Sequence, residues 1–207
     1  NTKFLPWLEQ SLSNFKYFKP AGRSKCCVSY SPIEEKNYSE ETKELYEAII
    51  NSRTLLWGIF TKDIYDEGIN KTVPKLEQKL EYNFSIILSY IHYKDEFPID
   101  FMQKNYDNGK IVELTYQMTE SNNEDLFGRA PALDIYRGLG DFEIRTFAKA
   151  AKRFGQPFLF RLNNEMNSDW TSYSGIVTLS DPEIFIDNWR RCYKIFKEEG
   201  VNNAIWI

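Results

Sequence analysis

Short apolar runs alternate with amphipathic stretches along most of the chain. The apolar runs, rich in the β-branched and aromatic residues typical of strands, cover residues 55–60, 84–93, 110–117, 157–165 and 203–207. Between them the pattern predicts helices over residues 73–82, 97–109, 141–154 and 181–200, and a long loop over 118–138. Strands that alternate with helices predict an α/β fold with a parallel sheet.

Local end signals support several of the predicted helices. Ser39 is a plausible N-cap for a further helix over residues 39–51, and Asp181 is one for the helix over 181–200. Gly155 and Gly200 stand where the last two helices should stop. The first forty residues contain several helix and strand breakers, so we interpret residues 1–50 as an N-terminal extension or the tail of a preceding module.

Two parallel architectures fit five strand–helix units. One is an open, doubly wound sheet of five strands, and the other is the first part of an eight-stranded barrel. An open nucleotide-binding sheet needs a glycine-rich turn after its first strand, and no such turn follows residues 55–60. From the pattern alone the choice stays open.

Composition and charge narrow the function classes. The chain has 207 residues, a size typical of one domain, and its net charge is −4 with no run of more than two adjacent Lys or Arg residues. That pattern argues against nucleic-acid binding. No apolar run approaches the roughly 20 residues that a membrane span needs. The aromatic share of 16% suits either a rich core or sugar-stacking surfaces.

Cysteine and histidine offer little chemistry. Cys26, Cys27 and Cys192 form neither a disulfide framework nor a zinc-ligand spacing. A nucleophile–histidine device would have to use His92, the one histidine, which we interpret as a strand-end or loop residue. We therefore expect no metal and no cofactor.

The strongest chemical signal is a polar cluster at the end of the fourth apolar run. Arg161, Asn163, Asn164 and Glu165 follow an apolar strand within five positions. Buried polar groups are costly unless they find partners, and the carboxyl ends of barrel strands form active sites. The cluster is therefore a candidate site, with an ordinary Arg–Glu pair at a strand end as the alternative.

These residues resemble the acid/base strand of retaining glycoside hydrolases, above all family 26, the β-mannanase family. The matching positions are Arg161, Glu165, Met166, Asn167 and Trp170, supported by Asp134, Gly138, Asp141, Ile144, Phe147, Ala148, Gly155, Pro157, Asn203 and Trp206. The resemblance covers about residues 55–207. It implies a (β/α)₈ TIM barrel, of which residues 51–207 would supply about the first five units.

Two departures from the family pattern affect the substrate. Asn164 stands where the family commonly has His before the acid/base Glu, and Tyr116-Gln117 stands where it commonly has Trp-His. These positions help to shape the pocket around the sugar. Mannan and glucan therefore both remain open as substrates.

The resemblance implies a retaining endo-β-glycanase that hydrolyses a β-1,4-linked polysaccharide by double displacement. Glu165 would be the general acid/base, because a carboxyl in a cleft beside a second carboxylate and aromatic walls holds its proton to higher pH. Asn164, Arg161, Tyr116 and Gln117 would shape the sugar site, and Trp170 and Tyr173 would either stack on sugar or pack the loop. The resemblance also implies a nucleophile at the end of strand seven, beyond residue 207. Glu113 stands three residues before Tyr116, where the polar end of its strand begins, so we do not expect it to be the nucleophile.

Other readings stay open. The chain could be a carbohydrate-binding module without catalysis, an incomplete and inactive barrel fragment, or an unrelated open-sheet enzyme. If the barrel is correct, the rest of it or a second copy is needed to close the fold. The family resemblance further implies a secreted or cell-surface bacterial protein with an oligosaccharide or polysaccharide as its partner.

Overall fold

Five parallel strands form one sheet in a computed structural model that describes residues 37–120, 131–175, 178 and 181–207. The strands are β1 (Gly58–Ile59), β2 (Ile86–His92), β3 (Ile111–Gln117), β4 (Phe158–Leu162) and β5 (Ala204–Trp206). Their spatial order is β1-β2-β3-β4-β5, the same as their order in the chain. In a doubly wound sheet the order in which strands are added reverses at a switch point, although the strands stay parallel. In a barrel each new strand lies beside the one before it in the chain. The order therefore favours the barrel over the open sheet.

Helices separate the strands. They are α1 (Glu40–Ile50), a π-helical segment (Ile64–Thr72) that runs into α2 (Val73–Leu80), α3 (Ile99–Asp107), α4 (Pro131–Tyr136), α5 (Asp141–Phe154) and α6 (Pro182–Glu199). The predicted caps are confirmed: the Ser39 side chain accepts from the Thr42 amide, and the Asp181 side chain accepts from the Glu183 amide. Gly155 and Gly200 end α5 and α6 in the left-handed conformation.

The structure differs from the pattern in three places. Strand β1 contains two residues rather than the predicted six, and Leu55 before it is 77% exposed. The π-helical segment was not predicted. The predicted loop over 118–138 is wrong at 131–136, where Pro131 begins the short helix α4 and Ile135 is fully buried. The part of that prediction over residues 121–130 lies outside the described residues.

The sheet has a helix-covered face and an inner face. Val112, Leu114 and Tyr116 alternate along β3 into the main hydrophobic core, which the helices cover. Because side chains of a strand alternate between faces, Glu113, Thr115 and Gln117 lie on the opposite, inner face. That inner face carries the polar residues discussed below.

Helix α1 covers the amino-terminal end of the inner face. Tyr46 packs with Leu159 and Ile205 in a second buried cluster, to which Ile86 and Ile111 also contribute. All four of these sheet residues stand at the first or second position of their strands. The Ser39 amide also donates to the Asn202 carbonyl at 2.9 Å. Helix α1 thus shares a core with the strands, while the remainder of the predicted extension, residues 1–36, lies outside the described residues.

Among the helices in the described part of the chain, none is both long and apolar enough to cross a bilayer.

Candidate functional site

The carboxyl ends of three neighbouring strands meet at one edge of the sheet. His92 ends β2 and is in register with Gln117, which ends β3. The Asn163 amide, directly after β4, donates to the Tyr116 carbonyl at 2.9 Å. The polar cluster predicted from the sequence therefore lies at the edge where parallel barrels place their active sites.

The backbone after β4 turns sharply to present Glu165. Asn163 has φ of 61° and Glu165 has φ of 49°, both in the left-handed region. Asn tolerates that region, and Asn163 is fixed further by its Oδ1, which accepts from the Met118 amide at 2.8 Å. Glutamate is uncommon there, and such strained residues concentrate at functional sites. The turn leaves the Glu165 side chain exposed.

Trp170 contacts the Glu165 carboxyl group directly. The Trp170 indole Nε1 donates a hydrogen bond to Glu165 Oε2 at 2.8 Å. The indole is 41% exposed, so it keeps accessible surface beside the carboxylate. The structure thus brings together the predicted acid/base residue and Trp170, which the sequence predicts either to stack on sugar or to pack the loop.

A hydrogen-bond network of amides and a phenol supports the same turn. Gln117 Nε2 donates to Asn164 Oδ1 at 2.9 Å, and the Tyr173 hydroxyl lies 3.2 Å from the same oxygen. The backbone N–H of Asn164 donates to the Tyr173 hydroxyl at 3.3 Å. The first two of these bonds occupy Oδ1 of the Asn164 side chain. Its Nδ2 has no partner among the described residues and is therefore available as a donor.

Tyr173 is part of this network rather than a surface platform. Its side chain is 1% exposed, and its ring lies 6.3 Å from that of Phe185. Burial raises the pKa of Tyr173, so its hydroxyl keeps its proton. Of the two readings that the sequence allowed for Tyr173, this placement fits loop packing and does not fit stacking on sugar.

Tyr116 is placed away from the site. Its side chain is fully buried, its hydroxyl donates to the Tyr93 carbonyl at 2.7 Å, and its ring is 4.5 Å from that of Phe147. It therefore packs on the helix-covered face and not beside Asn164 and Glu165, contrary to the expectation from the sequence. The next residue, Gln117, lies on the inner face and does reach Asn164.

Arg161 lies on the inner face one level below the turn. Its Nε donates to Thr115 Oγ1 at 3.0 Å, and its Nη2 donates to the Tyr90 hydroxyl at 3.3 Å. Its Nη1 is 3.4 Å from Glu113 Oε1. The carboxylate that Arg161 contacts thus belongs to Glu113 and not to Glu165. Tyr90 and Thr115 were missed in the sequence, because alternation along β2 and β3 does not show which of their residues face Arg161.

A cavity of about 380 Å³ opens beside the loop that carries Glu165. Its lining residues are Met166, Asn167, Ser168, Tyr173, Gly175, Thr178, Asp181, Pro182 and Phe185. Apolar and hydroxyl groups are therefore mixed in its wall. Within the described ranges, no group of three or more His, Cys, Asp or Glu side chains is arranged to hold a metal ion.

No protein-family model matches the sequence, and no curated protein sequence matches it either. Solved structures do match. They include a family 26 β-(1,4)-mannanase with a CBM35 module from Podospora anserina, with a TM-score of 0.62 and 15% identity over 89% of this chain. Another is a β-mannanase from a symbiotic protist of the termite Reticulitermes speratus, complexed with gluco-manno-oligosaccharide, with a TM-score of 0.62 and 16% identity over 85% of this chain.

A third matching structure is the family 26 domain of an endo-β-mannanase/endo-β-glucanase from Prevotella bryantii, with a TM-score of 0.59 and 12% identity over 83% of this chain. This chain spans 47% of the Podospora structure and 63% of each of the other two. Its parallel five-stranded sheet with alternating helices matches part of their TIM barrels. The likeness to family 26 mannanases predicted from the sequence is thereby confirmed at the level of the fold.

Proposed function

We propose that this chain belongs to a retaining endo-β-glycanase in which Glu165 is the general acid/base. The observation that carries the proposal is the placement of Glu165, an exposed carboxyl group in a left-handed turn at the carboxyl end of β4. In parallel barrels this end is where reacting groups are presented. The structural likeness to family 26 mannanases supports a glycosidase fold around that carboxyl group.

The proposed reaction needs a second carboxylate. In retaining hydrolysis one carboxylate attacks the anomeric carbon while the acid gives its proton to the leaving oxygen, and the acid then serves as base toward water. Glu113 is a poor candidate for the attacking group, because it pairs with Arg161 one level below the turn. We therefore assign the nucleophile to a strand that completes the barrel.

The proposed substrate is a β-1,4-linked polysaccharide of mannan or glucan type. Asn164 Nδ2 and the exposed Trp170 ring offer a hydrogen-bond donor and an apolar face beside Glu165, the two kinds of contact that sugars use. Gln117 and Asn164 stand where the family commonly has two histidines that help to shape the pocket around the sugar. The proposal therefore includes both mannan and glucan. A secreted or cell-surface location is part of the same proposal.

Azide rescue of Glu165→Ala tests the assignment in the protein with its complete barrel. Turnover of polysaccharide should fall by at least about a hundredfold, because proton transfer is lost. Aryl glycosides with good leaving groups need no acid in the first step, and azide should partly restore their turnover because it attacks the glycosyl intermediate without a base and releases the carboxylate nucleophile. Asp169→Asn, an exposed acid on the same loop, is the matched control and should stay active. An active Glu165→Ala variant would refute the proposal.

A carbohydrate-binding role without catalysis is the second candidate. The exposed Trp170 ring and the cavity of about 380 Å³ lined by Met166 and Asn167 of the same loop favour it, because both are present whether or not a nucleophile is supplied. Calorimetric titration with manno- and gluco-oligosaccharides, run beside a reducing-sugar assay, separates the two. Binding without release of reducing ends supports this role over the enzyme.

A further inference from the structure

We infer that Trp170 is a positioning residue for the acid step, with its indole N–H fixing one oxygen of Glu165 and leaving the other to carry the exchanged proton. This inference rests on the proposed function and adds a role that stacking on sugar does not give. The contact that motivates it is the 2.8 Å hydrogen bond from Trp170 Nε1 to Glu165 Oε2.

The loop holds Trp170 firmly enough for such a role. The Ser168 amide donates to the Glu165 carbonyl at 2.8 Å, which closes a tight turn between the two residues. Beyond Trp170, the buried Ser172 hydroxyl donates to the Met118 carbonyl at 2.8 Å, and Tyr173 bonds Asn164. Both ends of the segment are thus tied to the ends of β3 and β4. The indole is therefore delivered by a fixed backbone.

The indole N–H distinguishes the two carboxyl oxygens. It is a donor only, so it cannot hydrogen-bond an oxygen that presents its own proton toward it. Glu165 Oε1 has no partner among the described residues. The proton that moves in the reaction is therefore on Oε1 while Oε2 stays bonded to the indole.

This arrangement favours proton donation. In the first step the Oε1–H bond breaks and its proton passes to the glycosidic oxygen. That oxygen leaves with the electron pair of the C–O bond, and a carboxylate nucleophile bonds the anomeric carbon. Glu165 becomes an anion in this step, and a hydrogen bond from a neutral donor is stronger to an anion than to a neutral acid. Trp170 thus stabilises the state in which the proton has been given away.

The kinetic test compares substrates that differ in their need for an acid, using Trp170→Phe in the protein with its complete barrel. Turnover of oligosaccharide, a poor leaving group, should fall about five- to tenfold, while dinitrophenyl β-glycosides of the same sugar should change less than about twofold in the first step. Trp57→Phe, an exposed indole directly before β1, is the control.

Nuclear magnetic resonance gives a readout that does not depend on activity. The indole proton of Trp170, assigned by its loss in Trp170→Phe, should shift with pH as Glu165 titrates, and this titration should vanish in Glu165→Gln. Equal losses on both substrates, or a pH dependence of the indole signal that survives Glu165→Gln, would each overturn the inference. An active Glu165→Ala variant would instead refute the proposed function, so the two failures are distinguishable.

Discussion

Gln117 Nε2 donates a hydrogen bond to Asn164 Oδ1 at 2.9 Å, and this bond ties the end of β3 to the residue before Glu165. Both residues are amides at positions where the family commonly has histidines. Amides do not titrate, so the contact is independent of pH across the range in which a histidine would change charge. The turn that carries Glu165 is therefore held by neutral groups.

The first prediction removes one member of that network. Tyr173→Phe deletes the hydroxyl that contacts the Asn164 amide nitrogen and Oδ1 and keeps the buried ring. The free energy of unfolding should fall by about 1–2 kcal/mol, because the Asn164 amide nitrogen loses its partner. Urea unfolding measures this change. Turnover should also fall, since the turn is less well held.

Tyr136→Phe is the control for Tyr173→Phe, because Tyr136 is 45% exposed in helix α4. Its unfolding free energy should change by less than about 0.5 kcal/mol. A loss of similar size in both variants would show that the Tyr173 hydroxyl contributes nothing specific to the turn.

The second prediction concerns backbone strain. Glu165 and Glu81 both have positive φ, at 49° and 51°, and Glu81 caps the end of α2 far from the site in sequence. Glycine adopts this region without the steric cost that other residues meet. Glu165→Gly and Glu81→Gly should therefore each raise the unfolding free energy by up to about 1 kcal/mol.

Function should separate those two variants. Glu165→Gly should abolish turnover while Glu81→Gly keeps it, because strain is retained at Glu165 for the sake of the carboxyl group. Thermal unfolding and a reducing-sugar assay on both variants decide this. A destabilised Glu165→Gly would mean that the Trp170 contact outweighs the strain in the turn.

The sequence predicts an element's bounds well where the signals that set them lie within that element. The bounds of α5 and α6 agree with their predictions to within one residue, because capping side chains and helix-ending glycines act over a single turn. Strand β1 was overestimated, because only the part of an apolar run that pairs with a neighbour becomes strand, and here that part is Gly58–Ile59. Pairing partners are not visible in a local pattern.

The same reasoning applies to the site. The position of Asn164 and Glu165 at a strand end followed from the change from apolar to polar residues. Which of Tyr116 and Gln117 faces inward did not follow, because strands of a parallel sheet are apolar on both faces and alternation does not label the faces. The contact between Trp170 and Glu165 depends on the fold of a loop, which sequence spacing alone does not determine.

The third prediction concerns alkaline pH. Burial raises the pKa of Tyr116 well above its ordinary value near 10, whereas in the unfolded chain it ionises in its ordinary range. A group whose pKa is raised on folding stabilises the protein below the unfolded value and loses that contribution as pH rises. The unfolding free energy of the wild-type protein should therefore be about 1.4 kcal/mol lower at pH 11 than at neutral pH from this residue alone.

Tyr116→Phe should remove that loss. At pH 7 it should cost about 1 kcal/mol, because the hydrogen bond to the Tyr93 carbonyl is gone. Between pH 8 and pH 11 its unfolding free energy should fall less steeply than that of the wild type, as urea titrations at both values would show. Tyr106→Phe, 40% exposed, is the control. Parallel slopes for Tyr116→Phe and the wild type would contradict the prediction.

The fourth prediction separates the ion pair on the inner face from the chemistry at the edge. Arg161 Nη1 lies 3.4 Å from Glu113 Oε1, and the side chains are 31% and 19% exposed. Removing one partner leaves the other partly buried and unpaired, so Glu113→Gln should lower the unfolding free energy by about 1 kcal/mol. A double-mutant cycle with Arg161→Gln should give a coupling energy of about 0.5–1 kcal/mol.

Turnover should survive Glu113→Gln, because Glu113 is bound to Arg161 below the turn and does not reach the carboxyl edge that presents Glu165. Arg161→Gln should lower turnover more than Glu113→Gln does, since Arg161 also bonds Thr115 and Tyr90 on neighbouring strands and so fixes the strand directly beneath Glu165. The same reducing-sugar assay, with Glu165→Ala as the inactive reference, checks both. Loss of turnover in Glu113→Gln to the level of Glu165→Ala would make Glu113 the nucleophile and move the second carboxylate into this chain.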